Sequence, residues 1–151
     1  MKKAPSDSIT ETSFIATPAD ANSIGTVFGG RIMQHLDMTA AICARRHCNV
    51  RVATVAVNDL KFIRPIRVGH IVKIIARMTR AFKTSMEVQT WVYAEDTYQD
   101  ESLLAATAFF IIVGLDENNN PVAVPELSPQ TAEELKSWQE AGERRKRENE
   151  K

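Results

Sequence analysis

Apolar residues recur at helical spacing from Ile32 to about His47 and predict one long helix. The main apolar row consists of Ile32, Leu36, Ala40 and Cys43. Two further apolar residues, Met38 and Ile42, fall on the opposite side of the helix when successive residues are separated by about 100°. The helix is therefore expected to be covered by other parts of the protein nearly all round.

Alternating or continuous apolar runs before and after this helix predict five strands. They are Ile9–Ala16, Val52–Ile63, His70–Arg80, Thr84–Ala94 and Leu103–Leu115. The last run is apolar on both faces, so we expect that strand in the interior of a sheet, covered on both sides. One strand, a long helix and four strands joined mostly by short turns indicate an α+β fold, in which one antiparallel β-sheet wraps around the central helix.

The two ends of the chain differ from this central region. Residues 1–7 are expected to be a loose leader. Beyond the turn-forming Asp116–Pro121, Ser128 and Pro129 supply the cap and first-turn proline of a C-terminal helix, predicted from Thr131 to about Arg147. We expect one domain over residues 8–124 and a C-terminal helical extension over residues 125–151. Its basic end is interpreted as a solvated helix end, with contact to a nucleotide phosphate as the alternative.

Composition narrows the classes of function. The 151 residues suit one globular domain, and 19 basic and 19 acidic side chains cancel, which removes the general electrostatic argument for nucleic acid or an anionic membrane. No apolar run approaches the roughly 20 residues of a membrane span. Lys3 is followed by Ala-Pro-Ser-Asp-Ser, residues 4–8, where a secretion signal would require an apolar core, so we expect a cytoplasmic protein. The two cysteines and three histidines lack metal-ligand or redox spacing, which implies no metal. We also expect no separate cofactor.

The candidate chemistry lies at and just after the start of the long helix. Gly29 and Gly30 stand where unpaired N–H groups and the positive end of the helix dipole suit a developing oxyanion. Asp37, the only acidic residue of the predicted helix, lies at the edge of its apolar arc, and partly desolvated surroundings would raise its basicity. Exposure of Asp37 to water is the alternative. Asn22, in the preceding loop, could hold a water or a carbonyl group, or simply form a local turn.

The pattern Asn-x-x-Gly-Thr-x-Phe-Gly-Gly-x-x-Met-x-x-x-Asp runs from Asn22 to Asp37. It closely resembles the signature of the hotdog-fold acyl-CoA thioesterases, the acyl-CoA hydrolase family found in bacteria and, as tandem copies, in animals. The similarity extends roughly from Ser13 to Val124. It implies the hotdog fold, hydrolysis of acyl-CoA to a free acid and coenzyme A, and a homodimer that often assembles further into a trimer of dimers, a hexamer.

The resemblance also implies where the reaction takes place. Asn22 of one subunit and Asp37 of the other would meet across the dimer interface, and Thr54 matches a family threonine that supports the carboxylate or its water. Independently of the family, one small sheet can cover only part of so apolar a helix, which indicates a second copy of the chain. Asp37 would act as a general base on water or attack directly to form a mixed anhydride, and both routes remain open.

Five basic or hydroxyl-bearing residues are candidate contacts for the phosphates of coenzyme A. They are Arg64, Arg67, Lys83, Thr84 and Ser85. Solvated surface charge is the alternative for each basic residue taken singly.

Two other functions remain open at this point. A dehydratase or hydratase acting on acyl thioesters would require a histidine with an acid from the partner helix, and no such partner for Asp37 is clearly supplied. A non-catalytic acyl-CoA sensor would use the same pocket for binding alone, and a sensor that regulates transcription would normally need an additional DNA-binding segment.

Overall fold

The structure, a computed structural model that describes residues 2–150, contains a five-stranded antiparallel sheet packed against one long helix. The helix, α1, spans Gly29–Cys48. The sheet consists of β2 (Thr10–Ile15), β3 (Arg51–Phe62), β4 (Ile71–Ala81), β5 (Ser85–Asp96) and β6 (Glu101–Leu115), in the order β2-β4-β5-β6-β3. Two short strands, β1 (Lys2–Lys3) and β7 (Glu126–Leu127), pair in parallel, and the C-terminal helix α2 spans Ala132–Asn149. The predicted α+β architecture is confirmed.

Helix α1 packs on the inner face of the sheet through the predicted apolar row. Its row residues Ile32, Leu36, Ala40 and Cys43 are all buried. They form one core with alternate residues of the central strands, among them Val72, Ile74, Met86, Val88, Phe110 and Ile112. Each large side chain buried in this way contributes about 1.5–3 kcal/mol, so the contact with the sheet fixes the orientation of α1.

The strands begin and end within two residues of the predicted bounds, and the first turn of α1 begins at Gly29 rather than Ile32. Strand β6 lies inside the sheet, between β5 and β3, as predicted. Its inner residues, such as Phe110, are fully buried, whereas Phe109 and Ile111 on the outer face are half-buried. The prediction that this strand is buried on both faces therefore holds fully only for its inner face. No helix within residues 2–150 is long and apolar enough to cross a membrane.

The opposite side of α1 is left uncovered by its own sheet. Met38 is 50 % exposed, and Asp37 and Arg45 are exposed beside it. The adjacent strand β3 forms one edge of the five-stranded sheet, and its Val55 is 59 % exposed. A free sheet edge next to an exposed, partly apolar helix face is the kind of surface that proteins cover with another chain.

Residues 2–7 pack onto the rest of the protein, so the prediction of a loose leader is wrong for them. Lys2–Lys3 pairs with Glu126–Leu127, and Pro5 is buried within a short 3₁₀ helix. The Lys3 ammonium donates to Asn49 Oδ1 at 2.7 Å, directly after the end of α1. These contacts join residues distant in sequence, which is why local composition did not reveal them.

Helix α2 lies within two residues of the predicted span from Thr131 to about Arg147, but its cap is not Ser128. Its N-cap is Thr131, whose Oγ1 accepts a hydrogen bond from the Glu134 N–H at 3.1 Å, while Glu134 Oε1 accepts from the Thr131 N–H at 3.2 Å. This reciprocal capping box satisfies two N–H groups at once, and it places the N-cap three residues after Ser128.

The basic end of α2 is docked on the outer face of the sheet, and the prediction of a solvated end is wrong for Arg144 and Arg145. Arg144 forms a bidentate ion pair with Glu87 of β5, with N–O distances of 2.7 and 3.0 Å. Arg145 donates to Ser85 Oγ at 2.8 Å. A buried acid on the outer face of a strand is rare, because carboxylates are mostly exposed. Lys151, the last residue of the expected extension, lies outside the described residues.

Candidate active site

The start of α1 is held in place by the loop that precedes it. The Asp20 carboxylate pairs with Arg31 in the first turn, with Oδ1 2.9 Å from Nε, and the Asp20 carbonyl accepts from the Phe28 N–H at 3.0 Å. The same carboxylate accepts from the Thr17 N–H at 2.8 Å, which is the main reason why the pKa of Asp20 lies below its usual value. These contacts fix the position of the first N–H groups of the helix.

Gly29 and Gly30 form the first turn of α1. Their N–H groups precede the first intrahelical hydrogen bonds, and the N-cap residue Phe28 provides no side-chain acceptor for them. A Cβ atom on Gly29 would lie 3.3 Å from Cζ of Phe62, so glycine permits the close approach of that ring. The two N–H groups, at the positive end of the helix dipole, are suited to a developing negative charge.

Asp37 and Thr54 are brought together two turns further along α1. Thr54 Oγ1 donates to Asp37 Oδ1 at 2.6 Å and links the helix to β3. A hydrogen bond to a charged acceptor of this length orients the carboxylate. The Asp37 side chain is exposed within one protomer, so the desolvation expected for it is not provided by its own chain.

The Asn22 side chain is engaged in its own turn. Its Oδ1 accepts from the N–H groups of Ile24 and Thr26, both at 3.1 Å, and its Nδ2 donates to Thr26 Oγ1 at 2.7 Å. Among the described residues, no hydrogen bond joins Asn22 to Asp37, which lies about 12 Å along the helix axis from Gly29. One protomer therefore does not bring Asn22, the two glycines and Asp37 to a single point.

A cavity of about 380 Å³ lies directly beside the start of α1. Its lining residues are Thr26, Val27, Gly29, Ile32, Phe62, Ile63, Arg64, Pro65 and Ile66. The Arg64 guanidinium at this cavity is held by a hydrogen bond from Nε to the Leu104 carbonyl at 2.8 Å. The cavity thus combines mostly apolar walls with Gly29, the first residue of the helix.

The five predicted phosphate contacts fall in two places. Arg64 and Arg67 lie near the start of α1, where Arg67 forms a β-bridge with Thr26. Lys83, Thr84 and Ser85 lie at the turn from β4 into β5, where Thr84 and Ser85 line a second cavity of about 310 Å³ beneath the end of α2. Ser85 is buried and its hydroxyl already accepts from Arg145, whereas Lys83 is exposed.

A third cavity, of about 740 Å³, lies at the opposite end of α1. It is lined by the end of the helix, the start of β3 and the turn after β6, including Ile42, Arg45, Arg51, Leu115 and Asp116. Ile42 and Arg45 belong to the side of α1 that the sheet leaves uncovered. This cavity therefore continues the exposed helix face rather than the site at Gly29.

No histidine of α1 is placed to work with Asp37. The His35 ring stacks on Phe14 of β2, with the ring centroids 3.9 Å apart, and burial together with the Arg31 charge lowers its pKa. His47 is buried near the end of the helix, with Nε2 2.7 Å from the Pro125 carbonyl oxygen. Within residues 2–150, no group of three histidine, cysteine, aspartate or glutamate side chains could hold a metal ion.

Sequence reasoning missed two features of this region. Phe62 was assigned only to a strand face, although its ring packs on Gly29 and forms a wall of the cavity. The buried pair of Glu87 and Arg144 was missed as well. The one available signal for the pair was an acid placed among the hydrophobic residues of a central strand, whereas the contact between Phe62 and Gly29 leaves no local signature.

Comparison with known proteins places the chain among thioester hydrolases. The sequence model of a family described as the Thioesterase superfamily matches residues 24–100. An uncharacterized acyl-CoA thioester hydrolase of Bacillus subtilis is 37% identical over 134 residues, which cover 86% of this chain and 78% of that protein.

Solved structures agree with this result. An acyl-CoA hydrolase from Staphylococcus aureus, characterized with butyryl-coenzyme A and coenzyme A, superposes with a TM-score of 0.92 at 30% identity and covers 99% of this chain and 91% of its own. An apo-hexameric acyl-CoA thioesterase gives a TM-score of 0.96 at 29% identity, covering 99% and 96%. The Staphylococcus aureus protein has also been solved as three variants, in which an aspartate, an asparagine and a threonine are each replaced by alanine.

Proposed function

The chain belongs to the thioesterase superfamily and has its hotdog fold, and on this basis we propose that it hydrolyses acyl-CoA to a free carboxylic acid and coenzyme A. The observation that carries the proposal is the hydrogen bond from Thr54 to Asp37, which orients an exposed carboxylate on the central helix. The relatives are named as acyl-CoA hydrolases, and this chemistry requires a base or nucleophile beside donors for an oxyanion.

The reaction needs one proton acceptor and one oxyanion site. Asp37 takes a proton from water as the water oxygen attacks the thioester carbonyl carbon. The N–H groups of Gly29 and Gly30 stabilise the negative charge that forms on the carbonyl oxygen. The C–S bond then breaks, and the proton held by Asp37 passes to the leaving coenzyme A sulfur. Direct attack by the Asp37 carboxylate, followed by hydrolysis of the anhydride, is the alternative route.

We propose that the complete site forms between two copies of the chain. Asp37, Met38 and the edge strand β3 form one exposed surface, and a partner that covered it would exclude water from the carboxylate. The partner would contribute the start of its own α1 with Asn22. The three Staphylococcus aureus variants support this grouping, because their asparagine, aspartate and threonine have the same separations along the chain as Asn22, Asp37 and Thr54. The hexameric relative supports further assembly into a trimer of dimers.

Several further assignments accompany this proposal. The exposed cations Arg67 and Lys83 are the best placed of the candidate residues to contact the coenzyme A phosphates, with Thr84 beside Lys83. Arg64 and Ser85 are weaker candidates because each already holds another partner. We propose that no separate cofactor takes part and that the protein acts in the cytoplasm. Its free, buried cysteines, Cys43 and Cys48, are compatible with such a reducing compartment.

The role of Asp37 is tested by Asp37→Asn. Release of free thiol from acyl-CoA substrates should fall at least about 100-fold, because proton transfer to a positioned base supplies 10²–10⁴-fold. Asp100→Asn is the matched control, since it neutralises an exposed carboxylate in the turn between β5 and β6, outside α1 and β3. Binding of coenzyme A should survive both substitutions. An unmutated protein that binds acyl-CoA but releases no thiol would instead be a sensor.

The shared site is tested by mixing two inactive variants, Asn22→Ala and Asp37→Ala. After unfolding and refolding together, half of the dimers contain one copy of each variant, and one of the two sites in such a dimer is intact. Activity should recover to about one quarter of the wild-type value. A mixture that remains inactive, although the subunits have exchanged, would place both residues in the same protomer.

A further inference from the structure

We propose that the cavity beside the start of α1 receives the acyl chain of the substrate and that Phe62 sets the chain length the enzyme prefers. This inference rests on the proposed thioesterase function and assigns a part of the substrate to a cavity. The cavity has a volume of about 380 Å³, within the range of roughly 300–1,000 Å³ that is common for ligand pockets.

The position of the cavity suits the carbon chain next to a thioester carbonyl. Gly29 is both a lining residue and the first residue of α1, so the start of the helix borders the cavity. A carbonyl oxygen held by the N–H groups of Gly29 and Gly30 would direct the attached chain between Phe62 and Ile66. Ile32, about one turn along the helix, is buried and also lines the cavity.

The chemistry of the walls favours an alkyl chain over the pantetheine arm of coenzyme A. Six of the lining residues have apolar side chains: Val27, Ile32, Phe62, Ile63, Pro65 and Ile66. The polar ones are Thr26 and Arg64, and the Arg64 Nε is already used by the Leu104 carbonyl. A pantetheine arm carries two amides, and burying either without hydrogen-bond partners is costly. An alkyl chain has no polar groups and needs no hydrogen-bond partners in the cavity.

Phe62 is the wall that controls the size of the cavity. Its ring lies 3.3 Å from the position of a Cβ on Gly29, so it closes the side next to the oxyanion donors. The side chain is 54 % exposed, which allows its replacement without opening the protein core. A smaller residue at this position lengthens the apolar surface available to the chain, and a larger one shortens it.

The test compares kcat/KM for straight-chain acyl-CoAs from acetyl to palmitoyl in four proteins: wild type, Phe62→Ala, Phe62→Trp and Tyr98→Ala. Tyr98, a highly exposed aromatic residue after β5 and outside the cavity, is the matched control. Phe62→Ala should move the optimum to longer chains and Phe62→Trp to shorter ones, by about fourfold in kcat/KM for each methylene gained or lost. Tyr98→Ala should keep the wild-type optimum.

A change in kcat/KM by the same factor at every chain length would overturn the proposal, because it would assign Phe62 to the pantetheine arm or to the position of Gly29. The failure of the underlying function looks different, since the wild type would then release no thiol from any substrate. Dissociation constants for the same acyl-CoA series, measured by calorimetry, test the cavity in that case too. An unchanged dependence of affinity on chain length in Phe62→Ala would refute the assignment.

Discussion

Removing the buried charge of Arg144 should destabilise the fold strongly, although this residue lies in a helix outside the segment that the family sequence model matches. Its partner Glu87 is 2 % exposed, and the Arg144 side chain is 12 % exposed. Glu87 Oε1 accepts from Arg144 Nη2 at 2.7 Å and from Thr79 Oγ1 at 2.6 Å, and Oε2 accepts from Arg144 Nε at 3.0 Å. Among the described residues, Arg144→Ala would leave the Thr79 hydroxyl as the only hydrogen-bond donor to the buried Glu87 carboxylate.

The size of the effect follows from this geometry. Removing one partner of a buried ion pair costs about 3–5 kcal/mol, since the remaining charge has lost its compensation. Loss of the contact between the guanidinium and the Phe109 ring, at 3.8 Å, adds to the cost. Because α2 ends nearby and water can reach Glu87 once Arg144 is gone, we expect a loss of about 3 kcal/mol, at the low end of that range.

Urea unfolding at one protein concentration measures this loss, which should lower the midpoint by roughly 1.5 M if the slope is about 2 kcal/mol per M. Arg147→Ala, an exposed arginine on the same helix, is the matched control and should change stability by less than about 0.5 kcal/mol. Replacing Glu87 and Arg144 together by leucine should restore most of the stability, because Thr79 Oγ1 still has the residue 87 carbonyl at 3.1 Å. An Arg144→Ala variant as stable as Arg147→Ala would refute the reasoning.

Two further predictions concern substrate phosphates and pH. Lys83→Ala should raise KM for acyl-CoA about two- to fivefold with kcat unchanged, as expected for the loss of one exposed ionic contact. Hydrolysis of a pantetheine thioester, which lacks the nucleotide, should be unaffected. An equal rise in KM for the two substrates would exclude a contact between Lys83 and a phosphate. Burial lowers the pKa of His47 from 6.5, so the unfolded chain binds a proton that the folded chain does not, and stability should fall as the pH drops below 6.5. His47→Gln keeps a donor for the Pro125 carbonyl and should reduce the loss of unfolding free energy between about pH 7 and pH 5, as measured by urea unfolding. If the loss is the same in this variant, groups other than His47 cause it.

Local pattern was sufficient to predict α1 and the five strands of the main sheet. Apolar residues spaced at three and four positions predicted α1, and alternation predicted the inner faces of β4 and β5. Both periodicities arise from backbone geometry, which places such residues on one face whatever the rest of the chain does. Residues 2–7 were mispredicted because their partners, residues 126–127 and Asn49, are far away in sequence.

The residues of the candidate site likewise include some that the sequence shows together and some that only the fold brings together. The turn at Asn22, the glycines at the start of α1 and the acid at Asp37 lie within one short stretch, so the sequence displays them together. The bond between Asp37 and Thr54 exists only because β3 runs alongside α1. In the sequence analysis Thr54 was identified by family resemblance, since a threonine in a strand is otherwise unremarkable in its local context.

By itself, then, the sequence determined which segments become helix and strand, which face of α1 enters the core, and where the first N–H groups of that helix lie relative to Asp37. These properties depend on residues close together in the chain. Only the tertiary structure decided that Phe62 closes a cavity against Gly29, that Arg144 neutralises Glu87, and that Asp37 faces outward from its own subunit. Each of these results depends on side chains that approach one another only after the sheet has wrapped around the helix, and no periodicity along the chain records such distances.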